Sequence, residues 1–172
     1  MQRSMLVLSV VGADRTGLVQ SIAETISAAG GNWEESRMAR LAGQFAGILL
    51  VTIDAARSDQ LVASLRKLEA NGLVVTVRPT EPPPQAAASV LVRLQLTAND
   101  RPGIVRDVSK ILAERELNVE ELETEVTSAA MSGDAMFTAR ARLRAPATTS
   151  LADLRTRLEA LGSELMLDLA IE

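Results

Sequence analysis

The chain has 172 residues, a formal net charge of −4 at pH 7 and a sequence pI near 5.0, and this acidic balance disfavours a nucleic-acid-binding surface. It contains no cysteine and no histidine, which excludes disulfides, thiolate metal sites and the most common general base. Aromatic residues make up 2% of the chain, so the core must be aliphatic. No segment approaches the roughly 20 apolar residues that a transmembrane helix needs, and we expect a soluble cytoplasmic protein.

The first half of the chain predicts six elements in the order β-α-β-β-α-β. Residues 5–11 are apolar and β-branched, which is typical of a buried strand. Apolar residues then recur at helical spacing through 18–29, up to a pair of glycines that would end the helix. Residues 32–54 predict two strands joined at an Ala-Gly turn. Leucines at helical spacing predict a second helix over 58–71, and residues 73–79 predict a closing strand.

The second half repeats this pattern at an offset of 86 residues. Residues 12–19 (GADRTGLV) align with residues 98–105 (ANDRPGIV) without a gap, and the second hairpin is longer by about six residues near TSAAMSGD. Ser150 and Asp153 match a capping box for the last helix. The elements predicted for this half are a strand at 89–98, a helix at 102–115, a hairpin at 118–145, a helix ending at Gly162 and a strand at 164–171.

A proline-rich stretch separates the two copies. Residues 79–89, PTEPPPQAAAS, contain three consecutive prolines and predict a stiff, extended connector. We therefore predict one domain over residues 1–79, a linker over 80–88 and a second domain over 89–172. A βαββαβ unit folds most simply as a ferredoxin-like sandwich, in which both helices cover one face of an antiparallel sheet. The predicted fold class is α+β, with two such sandwiches in tandem.

In both copies, a strand is followed by Asp-Arg-x-Gly and then by a helix. This order places unpaired backbone N–H groups and the positive end of the helix dipole together, which favours a carboxylate or phosphate by about 0.3–1 kcal/mol. A side chain at Gly17 or Gly103 would stand between those N–H groups and a ligand. The structural alternative is that the same residues make a good cap and a tight turn in any βα unit.

Asparagine recurs at the start of the second strand of each copy, as Asn32 and Asn118. The side-chain amide can offer its oxygen to an ammonium group and its NH₂ to a carboxylate, or the residue can simply favour the turn. We expect the neighbouring Trp33 to pack at an interface rather than to stack on a ligand. The acidic runs NWEESR and NVEELETE predict solvated strand faces.

The arginines of the repeated turn, Arg15 and Arg101, also have two interpretations. A guanidinium group can hold a carboxylate through two parallel hydrogen bonds. We favour the alternative that both are surface or interface arginines, paired with Glu34 or Glu120.

The segment GADRTGLVQSIAETISAAGGNWEESRMARLAGQFAGILLV resembles the ACT domain, a small regulatory module that senses amino acids in many metabolic enzymes. The usual pattern is a strand, then D-x-P-G-x-L/V opening a helix, then asparagine at the next strand. The first copy departs from it at Thr16 and Trp33. Two tandem copies with DR-x-G-L/I-V are most similar to the glycine cleavage system transcriptional repressor family. The second copy has Leu122 where the first has Ser36.

The resemblance implies a non-enzymatic regulator without a metal or cofactor. ACT units pair through edge strands or helices, and an amino acid binds where the loop after strand one of one unit meets the start of strand two of its neighbour. The ligand-binding residues implied are Asp14, Arg15, Thr16, Gly17, Leu18, Val19, Asn32, Asp100, Arg101, Pro102, Gly103, Ile104, Val105 and Asn118. The resemblance also implies a ligand like glycine or serine, a homodimer and a DNA-binding transcription factor as partner, without direct contact to nucleic acid or membrane.

Two other functions share this order of elements. An enzyme resembling acylphosphatase would handle phosphate with Arg15 and Asn32, but the glycine and phenylalanine pattern that encloses such a site is missing. An RNA-binding module would need stacking aromatics on its central strands, where the sequence offers Phe137 and the short basic patch at 140–144.

Overall fold

A computed structural model describes residues 3–82, 88–128, 133–162 and 166–171, and it divides the chain into unit 1 (Met1–Pro84) and unit 2 (Gln85–Glu172). The centre of the predicted linker, residues 129–132 of the predicted insertion and the first residues of the last predicted strand lie outside the described residues. The domain and linker boundaries given above therefore stay a prediction.

Unit 1 has the predicted order of elements. They are β1 (Arg3–Ala13), α1 (Leu18–Ala28), β2 (Asn32–Leu41), β3 (Gln44–Asp54), α2 (Ser58–Arg66) and β4 (Leu73–Thr80). The strands lie in the order β2-β3-β1-β4, and each neighbouring pair is antiparallel. The second helix is shorter than predicted, because Lys67–Asn71 wind into a 3₁₀ segment before the left-handed Gly72 ends it.

Unit 2 repeats this architecture. Its elements are β5 (Ser89–Asn99), α3 (Ile104–Glu114), β6 (Asn118–Ser128), β7 (Ala135–Pro146), α4 (Leu151–Glu159) and β8 (Met166–Ile171). The strand order β6-β7-β5-β8 matches that of unit 1, again with antiparallel neighbours. Asn32 pairs with Thr52 and Asn118 with Arg144, so the offset between the copies grows from 86 to 92 across the hairpin. This growth confirms the longer second hairpin.

One face of each sheet carries the core. In unit 1, alternate residues of β1 point to the same side as the buried residues of α1 and α2, and the cluster is almost wholly aliphatic. Burial of each such side chain contributes about 1.5–3 kcal/mol. The opposite face stays open, since Val11, Ile48 and Val74 are about half exposed. Both helices therefore cover one face of an antiparallel sheet, as predicted.

Glycine determines where α1 and α3 begin. Gly17 (φ 89°) and Gly103 (φ 86°) are the N-cap residues, and both have a left-handed backbone that residues with a Cβ avoid. The prediction that α3 begins near Pro102 was therefore wrong: that residue lies in the turn, and the helix begins at Ile104. By contrast, α4 has a side-chain cap, because Ser150 Oγ accepts a hydrogen bond from the Asp153 N–H at 3.3 Å.

Candidate functional site: two equivalent turns and their distant asparagines

Each Asp-Arg-x-Gly turn is fixed to the neighbouring hairpin in the same way. The Asp14 N–H donates to the Gly43 carbonyl at 2.9 Å, and the Asp100 N–H donates to the Ala135 carbonyl at 2.8 Å. Because these bonds use only backbone atoms of the acceptors, the two turns keep one geometry despite different neighbouring sequences. The left-handed glycine then redirects the chain into the helix.

The turn of unit 1 presents free backbone donors. Among the described residues, no backbone carbonyl accepts a hydrogen bond from the N–H of Arg15, Thr16 or Gly17. The first turn of a helix also leaves N–H groups without an intrahelical partner. A Cβ built at Gly17 would have no heavy atom within 4 Å, so this glycine is required for its positive φ rather than for lack of space.

The side chains of the predicted turn residues divide into buried and exposed. Leu18 and Ile104 are 3% and 5% exposed and belong to the two cores. They can therefore contact a ligand only through the backbone. Val19 and Val105 lie on the surface and are a little under half exposed.

Three charged side chains of the turns, those of Asp14, Arg15 and Arg101, already have partners. Asp14 forms an ion pair with Arg40 of β2. Arg15 Nη2 donates to the Asn71 carbonyl at 3.2 Å, and Arg101 Nη1 lies 2.8 Å from Asp107 Oδ2. The expected pairing of these arginines with Glu34 or Glu120 was wrong, since the nearer acceptors lie around the turns themselves.

The ion pairs at the start of α3 also lower the pKa of Asp107. Hydrogen bonds first from Arg101 and then from Arg106 hold the pKa of Asp107 below its ordinary value. The unit 1 turn has threonine at position 16, and its arginine instead contacts a backbone carbonyl. The two turns therefore share backbone geometry and differ in their charged surroundings.

Within a unit, the turn and the asparagine do not meet. Asn32 pairs with Thr52, which is level with Met5 near the start of β1, while the turn follows Ala13 at the other end of that strand. Eight strand residues at about 3.3 Å each separate the two levels by roughly 26 Å. Unit 2 has the same separation, because Asn118 is level with Leu91 at the start of β5.

The surroundings of Asn32 are polar and were not predicted. Asn32 Nδ2 and Thr52 Oγ1 both donate to Glu34 Oε1, at 2.9 and 2.6 Å. The hydrogen bonds from Thr52 and, to a smaller extent, from Asn32 hold the pKa of Glu34 below its ordinary value. The positive charge of Arg3 lowers this pKa further. Beside them lies a cavity of about 460 Å³, lined by Arg3, Gly30, Asn32, Thr52, Ile53, Asp54 and Arg57. The sequence signal at this place is the exchange of Thr52 for Arg144 and of Arg3 for Ser89 between the two copies, which marks a difference between the units but does not locate a cavity.

The structure also bears on the residues considered for an interface, for RNA binding and for phosphate binding. Trp33 is half-buried against the core of its own unit. The acidic runs lie on β2 and β6 and are largely exposed, as predicted. Phe137 is 4% exposed within the core of unit 2, so it cannot stack on RNA. Arg15 and Asn32 lie at opposite ends of the sheet, which is unlike the paired phosphate ligands that an acylphosphatase-like site requires.

No set of three or more acidic side chains within the described ranges is arranged to hold a metal ion. In the same ranges, every helix is too short or too polar to cross a bilayer.

The fold and the repeated turn define a βαββαβ module that occurs twice in the chain, and the comparisons identify its family. Models of the ACT domain match residues 4–78 and residues 87–163, so the chain belongs to the ACT-domain family, with two domains in tandem. The chain is homologous to the glycine cleavage system transcriptional repressor of Escherichia coli K12, with 29% identity over 163 residues that cover 93% of this chain and 85% of the repressor. The repressor of Shigella flexneri matches to the same extent. The crystal structure of an unknown protein from Galdieria sulphuraria is 28% identical, covers 99% of both chains and superposes with a TM-score of 0.87.

Proposed function

We propose that this chain is a non-enzymatic regulator that senses an amino acid and acts through contacts with another protein, of the glycine cleavage system repressor type. Membership of the ACT family supports a sensing role, and homology to the repressor supports a regulatory one. The acidic charge and the buried Phe137 argue against direct binding of nucleic acid. We therefore propose a DNA-binding transcription factor as the partner and the cytoplasm as the location.

The single observation that carries this proposal is the pair of equivalent turns with free N–H groups. In the proposed site, the N–H groups of Arg15, Thr16 and Gly17 hold the ligand carboxylate, with the positive end of α1 behind them. The side-chain oxygen of an asparagine from another unit or another chain accepts from the ammonium group. The turn of unit 2 would use the N–H groups of Arg101 and Gly103, because Pro102 has no N–H. The donors named are backbone groups that bind the carboxylate, and none of them requires a ligand side chain. We therefore propose a small amino acid such as glycine or serine.

The separation of about 26 Å within a unit gives the proposed site a regulatory consequence. Since one unit cannot supply both the turn and the asparagine, the ligand must bridge two units or two chains. A bridging ligand binds only the arrangement that brings both parts together, so it shifts the population toward that arrangement by its differential affinity. The surface presented to a protein partner would change with it, and pairing of two chains into a homodimer is one way to complete the site.

Ligand titration tests the proposal. Trp33 is the sole tryptophan and directly follows Asn32, so its fluorescence can report binding alongside calorimetry. We expect at least one of the twenty amino acids to bind at millimolar concentration or below, and we expect Asn32→Ala and Asn118→Ala to weaken that binding. Asn71→Ala is the matched control, because Asn71 contacts Arg15 through its backbone carbonyl. If no amino acid elicits a response, the chain is not a sensor.

A further inference from the structure

The cavity of about 460 Å³ in unit 1 is a separate feature from the turns. It lies where the starts of β1 and β2 meet the end of β3, at the opposite end of the sheet from Gly17. All of its lining residues belong to unit 1, so its geometry does not depend on a second unit.

Two arginines provide the cationic part of this cavity. Arg57 Nη1 donates to the Ala29 carbonyl at 3.4 Å, which holds the guanidinium group against the end of α1. A Cβ at Gly30 would lie 2.6 Å from that nitrogen, so the absence of a side chain at position 30 allows Arg57 to occupy this place. Arg3 lines the same space and forms no ion pair within the described part of the chain. Guanidinium groups are suited to carboxylates, which they can bind through two parallel hydrogen bonds.

Oxygen acceptors lie in the same cavity. Asp54 Oδ1 accepts from the Ala56 N–H at 3.1 Å, and its second carboxylate oxygen has no hydrogen bond among the described residues. Asn32 donates its NH₂ to Glu34, which leaves the amide oxygen as its remaining polar atom. An ammonium group bonds to carboxylate and amide oxygens. The cavity therefore combines donors for a carboxylate with acceptors for an ammonium group.

Unit 2 lacks this combination at the equivalent place. Arg144 stands at the position of Thr52, and its guanidinium group contacts Glu120 and also Ser89 Oγ at 3.2 Å. Ser89 occupies the position of Arg3, and Glu116 that of Gly30. The connection from β7 to α4, with the sequence ATTS at 147–150, contains no arginine corresponding to Arg57. The guanidinium group of Arg144 is therefore held between the residues that correspond to Glu34 and Arg3 of unit 1.

We propose that unit 1 binds one α-amino acid in this cavity, with its carboxylate on Arg3 and Arg57 and its ammonium group on Asp54, which leaves the Asn32 oxygen to the proposed turn site. The class of ligand rests on the proposed function, whereas the site and its restriction to unit 1 rest on the cavity. The two units then differ in the number of proposed ligand sites. Both have the repeated turn, and unit 1 also has the arginine-lined cavity.

Equilibrium dialysis of the full chain against each of the twenty labelled amino acids, at saturation, tests this site. We expect Arg57→Ala and Thr52→Arg each to lose one bound amino acid per chain relative to the wild type. Thr52→Arg copies Arg144, so unit 2 itself shows that the fold accepts an arginine at this position. Arg144→Thr is the matched control and should leave the count unchanged. Glycolate, which has a hydroxyl in place of the ammonium group of glycine, should compete about tenfold less well, because a charge-assisted hydrogen bond is lost.

The outcomes separate this inference from the proposed function. If the wild type binds an amino acid and neither Arg57→Ala nor Thr52→Arg lowers the number bound, the cavity is not a site, while the sensing role stands. Equal competition by glycolate and glycine would also overturn the zwitterion assignment. If the wild type binds none of the twenty, the sensing role itself fails, and this inference fails with it.

Discussion

Substitution of Gly17 by alanine tests the backbone geometry on which the proposed turn site depends. Gly17 has φ 89° and ψ 2°, and a Cβ there would contact no heavy atom within 4 Å. The cost is therefore conformational and not steric. A left-handed backbone costs a residue with a Cβ about 1–2 kcal/mol, and the lower entropy of the unfolded alanine chain offsets about 0.4–1 kcal/mol of this. We expect the free energy of unfolding of unit 1 to fall by about 1 kcal/mol, which corresponds to about 4–8 °C in Tm for a unit of this size.

Denaturant unfolding followed by Trp33 fluorescence measures this loss in unit 1, because Trp33 packs against the core of that unit. Gly17→Asn should lose less, since asparagine tolerates the left-handed region better than alanine. Thr16→Ala is the neighbouring control and should change stability by less than about 0.5 kcal/mol. A Gly17→Ala protein as stable as the wild type would show that the turn does not hold a left-handed residue, and the proposed arrangement of N–H donors would be refuted.

Three further predictions concern unit 2. The pKa of Asp107 is lower in the folded protein than its unfolded value near 3.8, so the ionised carboxylate contributes stability above that pH, and this contribution is lost as the pH falls through the folded pKa. Asp107→Asn should therefore make the free energy of unfolding less dependent on pH in the acid range. An unchanged pH dependence would contradict the contact with Arg101. Ser150→Ala should destabilise α4 by about 0.5–2 kcal/mol in urea unfolding followed by circular dichroism, because the N-cap bond to Asp153 is lost, whereas Ser150→Asp should retain most of it. Phe137→Ala should cost about 3–5 kcal/mol in the same assay, and a loss below about 1 kcal/mol would show that the ring is not buried.

The fold could be predicted from the sequence because each element has a clear period and a clear end. The apolar residues of α1 recur every three or four positions and end at Gly30, and the centre of β1 is apolar and β-branched. The errors lie at the element ends, where the local backbone overrides the pattern. Pro102 favours the first turn of a helix, yet Gly103 has a left-handed backbone, so α3 begins only at the next residue, Ile104. At the end of α2, the change to a 3₁₀ segment leaves the leucine spacing almost unaltered, so periodicity cannot reveal it.

The repeated turn could be found from the sequence because its residues are contiguous. The separation between this turn and the asparagine of the same unit follows from topology: β1 and β2 are joined by a helix and run in the same direction, so their starts lie at one end and the turn at the other. The cavity could not be found in this way. Arg3 and Asp54 are adjacent only because β1 and β3 pair in one register, and Arg57 lines the same cavity from a separate segment.

The two units differ most where side chains, and not the backbone, determine the geometry. Threonine at position 16 and proline at position 102 occupy equivalent places, yet the following glycines differ by only three degrees in φ. The turns tolerate this change because their geometry depends on backbone hydrogen bonds and a left-handed glycine. At the other end of the sheet, Arg144 stands where unit 1 has Thr52, and its guanidinium group contacts Glu120 and Ser89. A ligand at the proposed turn site depends on bringing two units together, whereas a ligand in the proposed cavity site does not. The cavity site would therefore respond to an amino acid in either arrangement.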